Sequence, residues 1–163
     1  FSSGQWEILF EALAFVFILL PAIFAVRDPN MLEASCERNL TAFRMGASIY
    51  VGTFLLGNNW DYRLAFLILT IPQLSQWFRV QNKKHRAAVI GVMITALLTC
   101  WHFRLQIDLP FIPLKDPMNR IVVFDEIVNW ILLSGFAYLL AASLPVWMKQ
   151  DLQKIFGTSK QHV

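Results

Sequence analysis

Residues 8–26 read ILFEALAFVFILLPAIFAV, an apolar run interrupted only by Glu11 and Pro21. Four more apolar runs follow, at 42–56, 64–78, 87–103 and 127–148. Over its 163 residues the chain is 56% hydrophobic, with a mean hydropathy of +0.50, well above the usual range of a soluble domain. The pattern predicts an all-α fold in which residues 1–163 form one membrane bundle of about five transmembrane helices. Because the first residue is phenylalanine, we expect a processed protein or part of a longer chain.

The second and third runs are short for a membrane crossing. A helix rises about 1.5 Å per residue, so the apolar core of a bilayer needs about 20 residues. Residues 42–56 and 64–78 cross fully only if their polar ends are included, with Arg44 reaching back to the interface. The alternative is a re-entrant pair whose two ends lie on the same side of the membrane. The sequence leaves both arrangements open.

Basic residues alternate from one connection to the next. Of the 14 in the chain, ten fall on one side of a five-span arrangement: Arg27, Arg38, Arg44, Arg79, Lys83, Lys84, Arg86, Lys149, Lys154 and Lys160. The other four are Arg63, Arg104, Lys115 and Arg120. The positive-inside rule therefore places the N-terminus outside and the C-terminus inside. The inner run KKHR at 83–86 would also attract anionic lipid headgroups.

Tryptophans fall near the ends of the predicted spans, which is typical of aromatic belts in the headgroup layer. The outer ends carry Trp6, Trp60, Trp101 and Trp130, and the inner ends carry Trp77 and Trp147. Prolines at positions 21, 72 and 145 each remove a helix hydrogen bond, so we expect each to kink or end a helix. Small residues at helical spacing, such as Ala87 with Gly91, favour close helix contact.

The densest polar cluster is GNNWDYR at 57–63, between the second and third runs on the predicted outer side. Gly-Asn-Asn is a turn signal, because these residues tolerate left-handed backbone. One interpretation is a lipid phosphate or sugar bound by Arg63, with Asp61 and Asn59 as polar contacts. The other, which turn chemistry alone favours, is a helix hairpin closed by an Asp61–Arg63 pair.

A second outer segment, 102–125, contains three prolines in eight residues and is predicted to lie on the membrane surface rather than form one continuous helix. Its Arg104 and Arg120 are further candidates for binding a lipid phosphate, if the two outer segments meet over the bundle. Glu7 and Glu11 lie four residues apart on one helix face near the outer end of the first span. Two carboxylates near lipid often mark a functional site, and interfacial solvation is the alternative.

Cysteine and histidine spacing argues against a disulfide framework and against a metal or haem site. Cys36 and Cys100 fall on opposite sides of the predicted membrane, and the three histidines are scattered with no i, i+4 pair. We therefore expect no metal and no cofactor bound by this chain alone.

Residues 43–77, FRMGASIYVGTFLLGNNWDYRLAFLILTIPQLSQW, resemble a segment near the C-terminal end of bacterial multi-pass glycosyltransferase-like membrane proteins. These are similar to mannosyltransferases that use polyprenol-phosphate sugars. The core of the resemblance is GNNWDYRL at 57–64, followed by Pro-Gln-Leu at 72–74, about a fifth of the chain in all. It implies an outward-facing site for a lipid-linked sugar donor and location in the bacterial cytoplasmic membrane. Such enzymes use a catalytic aspartate in an early outer loop, N-terminal to this kind of segment, and we expect that loop to precede this sequence.

The sequence is compatible with two functions. The first is the C-terminal part of a lipid-linked-sugar glycosyltransferase, with a polyprenol-phosphate sugar as substrate. The second is a non-catalytic accessory subunit of a larger membrane complex, respiratory or photosynthetic, whose partners are other membrane subunits and lipids. Nucleic acid is not an expected partner. A transporter is weaker, because no internal repeat and no polar stripe through mid-membrane is visible.

Overall fold

The computed structural model describes residues 3–28, 32, 36–56, 64–80, 83–101 and 117–155. Within these ranges the chain forms six α-helices, one short 3₁₀ helix and no strand. The elements are α1 (Ser3–Arg27), α2 (Glu37–Leu55), the 3₁₀ helix (Phe66–Leu69), α3 (Ile71–Val80), α4 (Lys83–Trp101), α5 (Pro117–Ala142) and α6 (Val146–Ile155). The prediction of an all-α fold is confirmed.

The fifth apolar run is not one helix. α5 ends at Ala142 and α6 begins at Val146, and the two axes differ by 104°. Pro145 has no N–H to donate and disfavours helical backbone at the preceding residue, so the helix stops before it. The Ser143 hydroxyl donates to the Leu140 carbonyl at 2.8 Å, which satisfies one acceptor at the broken end. Pro145 therefore ends a helix as predicted.

The other two prolines behave differently. Pro72 is the second residue of α3, where a missing N–H costs little, and the break before α3 is made by the 3₁₀ helix. There the Thr70 hydroxyl donates to the Leu67 carbonyl at 2.7 Å. α1 continues past Pro21 to Arg27, so Pro21 does not end the helix.

α5 is the central helix and packs against α1, α2 and α4. α1 runs in the same direction as α5: the Phe17 and Trp130 rings lie 5.0 Å apart at their centroids, and Val26, further along α1, accepts a hydrogen bond from Gln153, beyond the end of α5. α2 runs in the opposite direction: Tyr50 donates a hydrogen bond to Asn129 at 3.2 Å, and Arg44 reaches the Ser143 carbonyl further along α5. These contacts make α1 and α5 parallel neighbours and α2 an antiparallel one.

An aromatic cluster forms the centre of the packing. Phe43 lies edge-on to Trp77 at 4.8 Å and 6.2 Å from Phe136, and Tyr50 is 5.4 Å from Phe136. Each such pair is worth about 0.5–1.5 kcal/mol beyond its area burial. Trp77 is completely buried, so its predicted place in an interfacial belt is wrong. It joins the core because α3 packs against α2 and α4, and the Trp77 ring lies against Phe43 of α2.

Two glycines allow close helix approach, and they are not the residues that small-residue spacing indicated. A Cβ on Gly46 would lie 2.7 Å from the Phe66 carbonyl oxygen, and one on Gly135 would overlap the Val92 side chain. By contrast, Gly52 and Gly91 have nothing within 4 Å. Backbone approach at Gly46 sets α2 against the 3₁₀ helix, and approach at Gly135 sets α5 against α4.

Apolar side chains cover much of the outside. Among those exposed are Phe15, Leu19, Leu20 and Phe24 of α1, Met45 of α2, Ile94 and Leu97 of α4 and Ile131 of α5. Within the described residues, each helix taken alone falls short of the length and apolar content that a membrane crossing needs. Residues Glu126–Ala142 and Val146–Lys154 reach them only as a pair, across the 104° bend. The five-span arrangement therefore stays a prediction.

Candidate functional site: the basic end of the bundle

The side chains predicted to form the outer site lie outside the described part of the structure. Asn59, Asp61, Arg63 and Arg104 lie outside the described residues. Glu7 and Glu11 lie on α1 and Arg120 lies on α5, but their side chains are outside the description. The lipid-phosphate site and the outer carboxylate pair remain predictions.

The described helices do define the apolar surface on that side of the bundle. Trp130 packs against Phe17 of α1 and, at 5.2 Å, against Phe54 near the end of α2. It lies 13 residues after the start of α5, about 20 Å along the helix, so α5 begins well before the predicted span does. α1 and α5 therefore extend well beyond the last turn of α2. The place of Trp130 at the outer end of a span stays a prediction.

Between α1 and α5 lies a cleft of about 280 Å³ with only apolar lining. Its walls are Leu13 and Phe17 from α1 and Ile127, Trp130 and Ile131 from α5. The cleft has room for a stretch of hydrocarbon chain but offers no hydrogen-bonding group. It can hold an apolar ligand, and it cannot by itself orient a reacting one.

At the opposite end, α1, α3 and α5 finish and α2 and α4 begin. All seven Lys and Arg side chains that the structure describes lie here: Arg27, Arg38, Arg44, Arg79, Arg86, Lys149 and Lys154. The described carboxylates of the same end are Asp28, Glu37 and Asp151. We call this region the basic end. Its excess of positive charge is a property of the folded bundle and not only of the connecting sequences.

Two helix C-termini at the basic end are capped by side chains from other helices. The Arg44 guanidinium of α2 donates to the Ser143 carbonyl just beyond α5. Gln153 of α6 donates to the Val26 carbonyl of α1 at 2.7 Å. The last carbonyls of a helix lack partners and carry partial negative charge, so a cation and an amide donor both suit them. Arg44 thus caps a neighbouring helix at the basic end, and its predicted reach to the membrane interface stays a prediction.

Lys149 is the most buried charged side chain of the basic end, at 5% exposure. It lies on α6, beyond the bend, and its Nζ donates no hydrogen bond to a described residue. Burial lowers the pKa of Lys149, and the nearby carboxylate of Asp28 acts in the opposite direction. Asp28 is itself buried, so the two charges offset each other's loss of solvent only in part.

Two further polar side chains, one on α3 and one on α4, are buried. His85 is fully buried, and its Nδ1 lies 3.2 Å from the Tyr138 hydroxyl. Gln73 is also fully buried, with neither amide atom hydrogen-bonded to a described residue. His85 therefore does not extend the surface charge of the run 83–86. An imidazole hydrogen-bonded to a phenol orients both rings and fixes the α4–α5 contact.

Sequence reasoning missed this polar interior. His85 was placed in a solvated basic run and Gln73 in the resemblance, and neither was assigned to the core. Only the capping by Arg44 had a signal in the sequence. Pro145 predicts a helix C-terminus, whose carbonyls lack partners, close to the basic residues. Within the described residues, no three His, Cys, Asp or Glu side chains lie close enough together to hold a metal ion.

No protein-family model matches the chain, and neither a curated protein nor a solved structure matches it at a significant level.

Proposed function

We propose that this chain is a polytopic membrane protein that binds a lipid-linked sugar on the side opposite the basic end. The main support for a membrane location is which side chains are exposed and which are buried. Large apolar side chains such as Phe24 and Leu97 are exposed, while Gln73, His85 and Asn129 are buried. A protein folded in water buries the first kind and solvates the second.

The sizes of the buried and exposed side chains of α1 also support a membrane location. It turns Ala14 and Ala25 inward, whereas Phe15, Leu19 and Phe24 face outward. In water, large apolar side chains gain most from burial, so this order would be costly. In lipid the apolar surface carries no such penalty, and small residues at the contact let helices approach closely.

The direction of the helices and the charge of the basic end support the predicted orientation. α1 and α5 enter the basic end from the same direction, and α2 and α4 leave it, as alternate spans would. The excess of Lys and Arg at this end favours the cytoplasmic side. The α6 helix then lies beyond the bend, outside the membrane-spanning part of α5.

The resemblance at 57–64 and the apolar cleft together support a lipid-linked ligand. A polyprenol-phosphate sugar combines a long hydrocarbon chain with an anionic headgroup. The cleft between Phe17 and Trp130 offers apolar contact of the right kind, and Arg63 offers a partner for the phosphate. An accessory subunit of a larger complex is the competing function, and it requires no ligand at Arg63.

The two native cysteines test the orientation. Cys36 precedes α2 at the basic end, and Cys100 lies near the far end of α4. With Cys100→Ser, a membrane-impermeant maleimide should label Cys36 in inside-out vesicles and not in right-side-out ones. With Cys36→Ser, Cys100 should show the reverse preference. Labelling of both cysteines from one side would contradict the orientation.

Binding of a polyprenol-phosphate mannose to the full-length protein tests the ligand. Arg63→Ala should weaken binding about tenfold to a hundredfold, because a hydrogen bond to a charged group contributes about 1.5–3 kcal/mol. Arg27→Ala, at the basic end, is the matched control and should bind normally. Equal binding by both variants and the parent would favour the accessory subunit.

A further inference from the structure

From the geometry of α6 we infer that this helix is an interfacial anchor whose outward face binds anionic phospholipid headgroups of the leaflet at the basic end. The inference rests on the proposed membrane location and adds a partner of defined chemistry. It depends on the bend at Pro145, on which side chains α6 turns outward, and on the charge around it.

The bundle fixes the orientation of α6. Lys149, Leu152 and Gln153 share one face, because residues three and four apart lie together on a helix. Lys149 is buried, Leu152 packs against the core, and Gln153 donates to the Val26 carbonyl. The 104° bend turns α6 away from the axis of α5 and across the basic end. The helix is thus held by one face and cannot rotate freely.

The opposite face of α6 carries an exposed aromatic residue among charges. Trp147, Asp151 and Lys154 follow at i, i+4 and i+7 and therefore share this face. The Trp147 side chain is 63% exposed, and Lys154 forms an exposed ion pair with Asp151 at 3.1 Å. Val146 and Met148 beside Trp147 are exposed as well. Indole rings and lysines at one level are typical of the membrane–water interface.

Charge complementarity selects the lipid. The basic end, to which α6 belongs, presents the exposed side chains of Arg27, Arg38, Arg79, Arg86 and Lys154, against a smaller number of described carboxylates. Basic residues close to a membrane surface attract anionic headgroups by about 1 kcal/mol each. A zwitterionic surface would accept Trp147 equally well but would not compensate these charges.

A reporter next to Trp147 tests the anchor. In a background of Cys36→Ser and Cys100→Ser, Gln150→Cys places a single thiol at an exposed position of α6. The full chain, labelled there with an environment-sensitive fluorophore, is reconstituted into vesicles of phosphatidylcholine with or without phosphatidylglycerol. Lipids carrying a nitroxide on the headgroup then quench a label that lies at the interface. We expect quenching to rise at least about twofold with phosphatidylglycerol and to fall in high salt.

The matched variants are Trp147→Ala and Leu97→Ala, the second removing an exposed apolar side chain of α4. Trp147→Ala should remove most of the quenching, and Leu97→Ala should leave it unchanged. A label that stays in water in both vesicle types would overturn the anchor. Equal quenching in the two vesicle types would overturn the choice of anionic lipid. Failure of the protein to float with vesicles would instead contradict the proposed membrane location, so the two failures are distinguishable.

Discussion

α1 and α2 both pack on α5, but they bury different kinds of side chains. α2 buries one defined face, with Leu40, Phe43, Ala47 and Tyr50 against the core. α1 is apolar all around and turns mainly small residues inward, leaving Phe15, Leu19, Phe24 and others outside. The difference shows that hydrophobicity alone does not determine which face of a helix is buried in this bundle. The buried face is determined by how each helix contacts its neighbours. The same substitution should therefore change stability by different amounts in α1 and in α2.

The largest expected effect comes from a matched pair of phenylalanines. Phe43→Ala in α2 removes a fully buried ring from the aromatic cluster and should cost about 3–5 kcal/mol of unfolding free energy. Phe24→Ala in α1 removes a ring that is 61% exposed and should change stability by less than about 0.5 kcal/mol. Denaturant unfolding in detergent micelles measures both. Similar losses would mean that α1 is packed as tightly as α2.

A pair of arginines in the first half of α2 gives the next effect. Arg44→Ala removes the guanidinium that donates to the Ser143 carbonyl and should cost about 1.5–3 kcal/mol. Arg38→Ala removes an exposed side chain and should cost less than about 0.5 kcal/mol. Thermal unfolding in the same detergent compares them. An unchanged melting temperature for Arg44→Ala would contradict the capping role.

A glycine pair on α2 tests the close approach to the 3₁₀ helix. Gly46→Ala places a Cβ against the Phe66 carbonyl oxygen, so the backbone must shift, at a cost of about 1–3 kcal/mol. Gly52→Ala meets nothing within 4 Å and should stabilise the helix by about 0.5–1 kcal/mol. Opposite signs are the expected result. If Gly46→Ala were neutral, the contact between α2 and the 3₁₀ helix would be looser than described.

The smallest effect is a pH dependence that arises from Lys149. Burial lowers its pKa in the folded state below the ordinary value of 10.5, so the unfolded chain binds the proton more tightly. The free energy of unfolding should therefore rise with pH between the lowered pKa and 10.5. Lys149→Met should remove this part of the slope, while Lys154→Met, at an exposed position, should preserve it. A slope that is the same in both variants would contradict the assignment.

The positions of the helices were readable from the sequence because each apolar run is long enough to indicate a helix. The breaks were harder to predict. Pro145 predicted a helix end correctly, whereas Pro72 lies at a helix start and Pro21 within a continuing helix. A proline is compatible with the first turn of a helix, and its effect further along depends on the contacts around it.

The polar interior was not predictable in the same way. The contact between Arg44 and Ser143 joins residues 99 positions apart, and that between His85 and Tyr138 joins residues 53 apart. Such contacts depend on which helices are neighbours and on how each is rotated, which a single sequence does not specify. The count of basic residues by connection grouped the seven described Lys and Arg side chains that lie at the basic end, but it did not reveal that Lys149 and His85 turn inward.

The hydrogen bond from Gln153 to Val26 joins positions 127 apart and has a consequence for biosynthesis. At about 5–20 residues per second, the ribosome needs many seconds to deliver α5 and α6 after α1 has emerged. During that interval α1 lacks both its neighbouring helix and the amide that caps its last turn. We therefore expect nascent chains that stop before α5 to be cleaved by proteases in vivo, and chains that include α5 and α6 to resist cleavage.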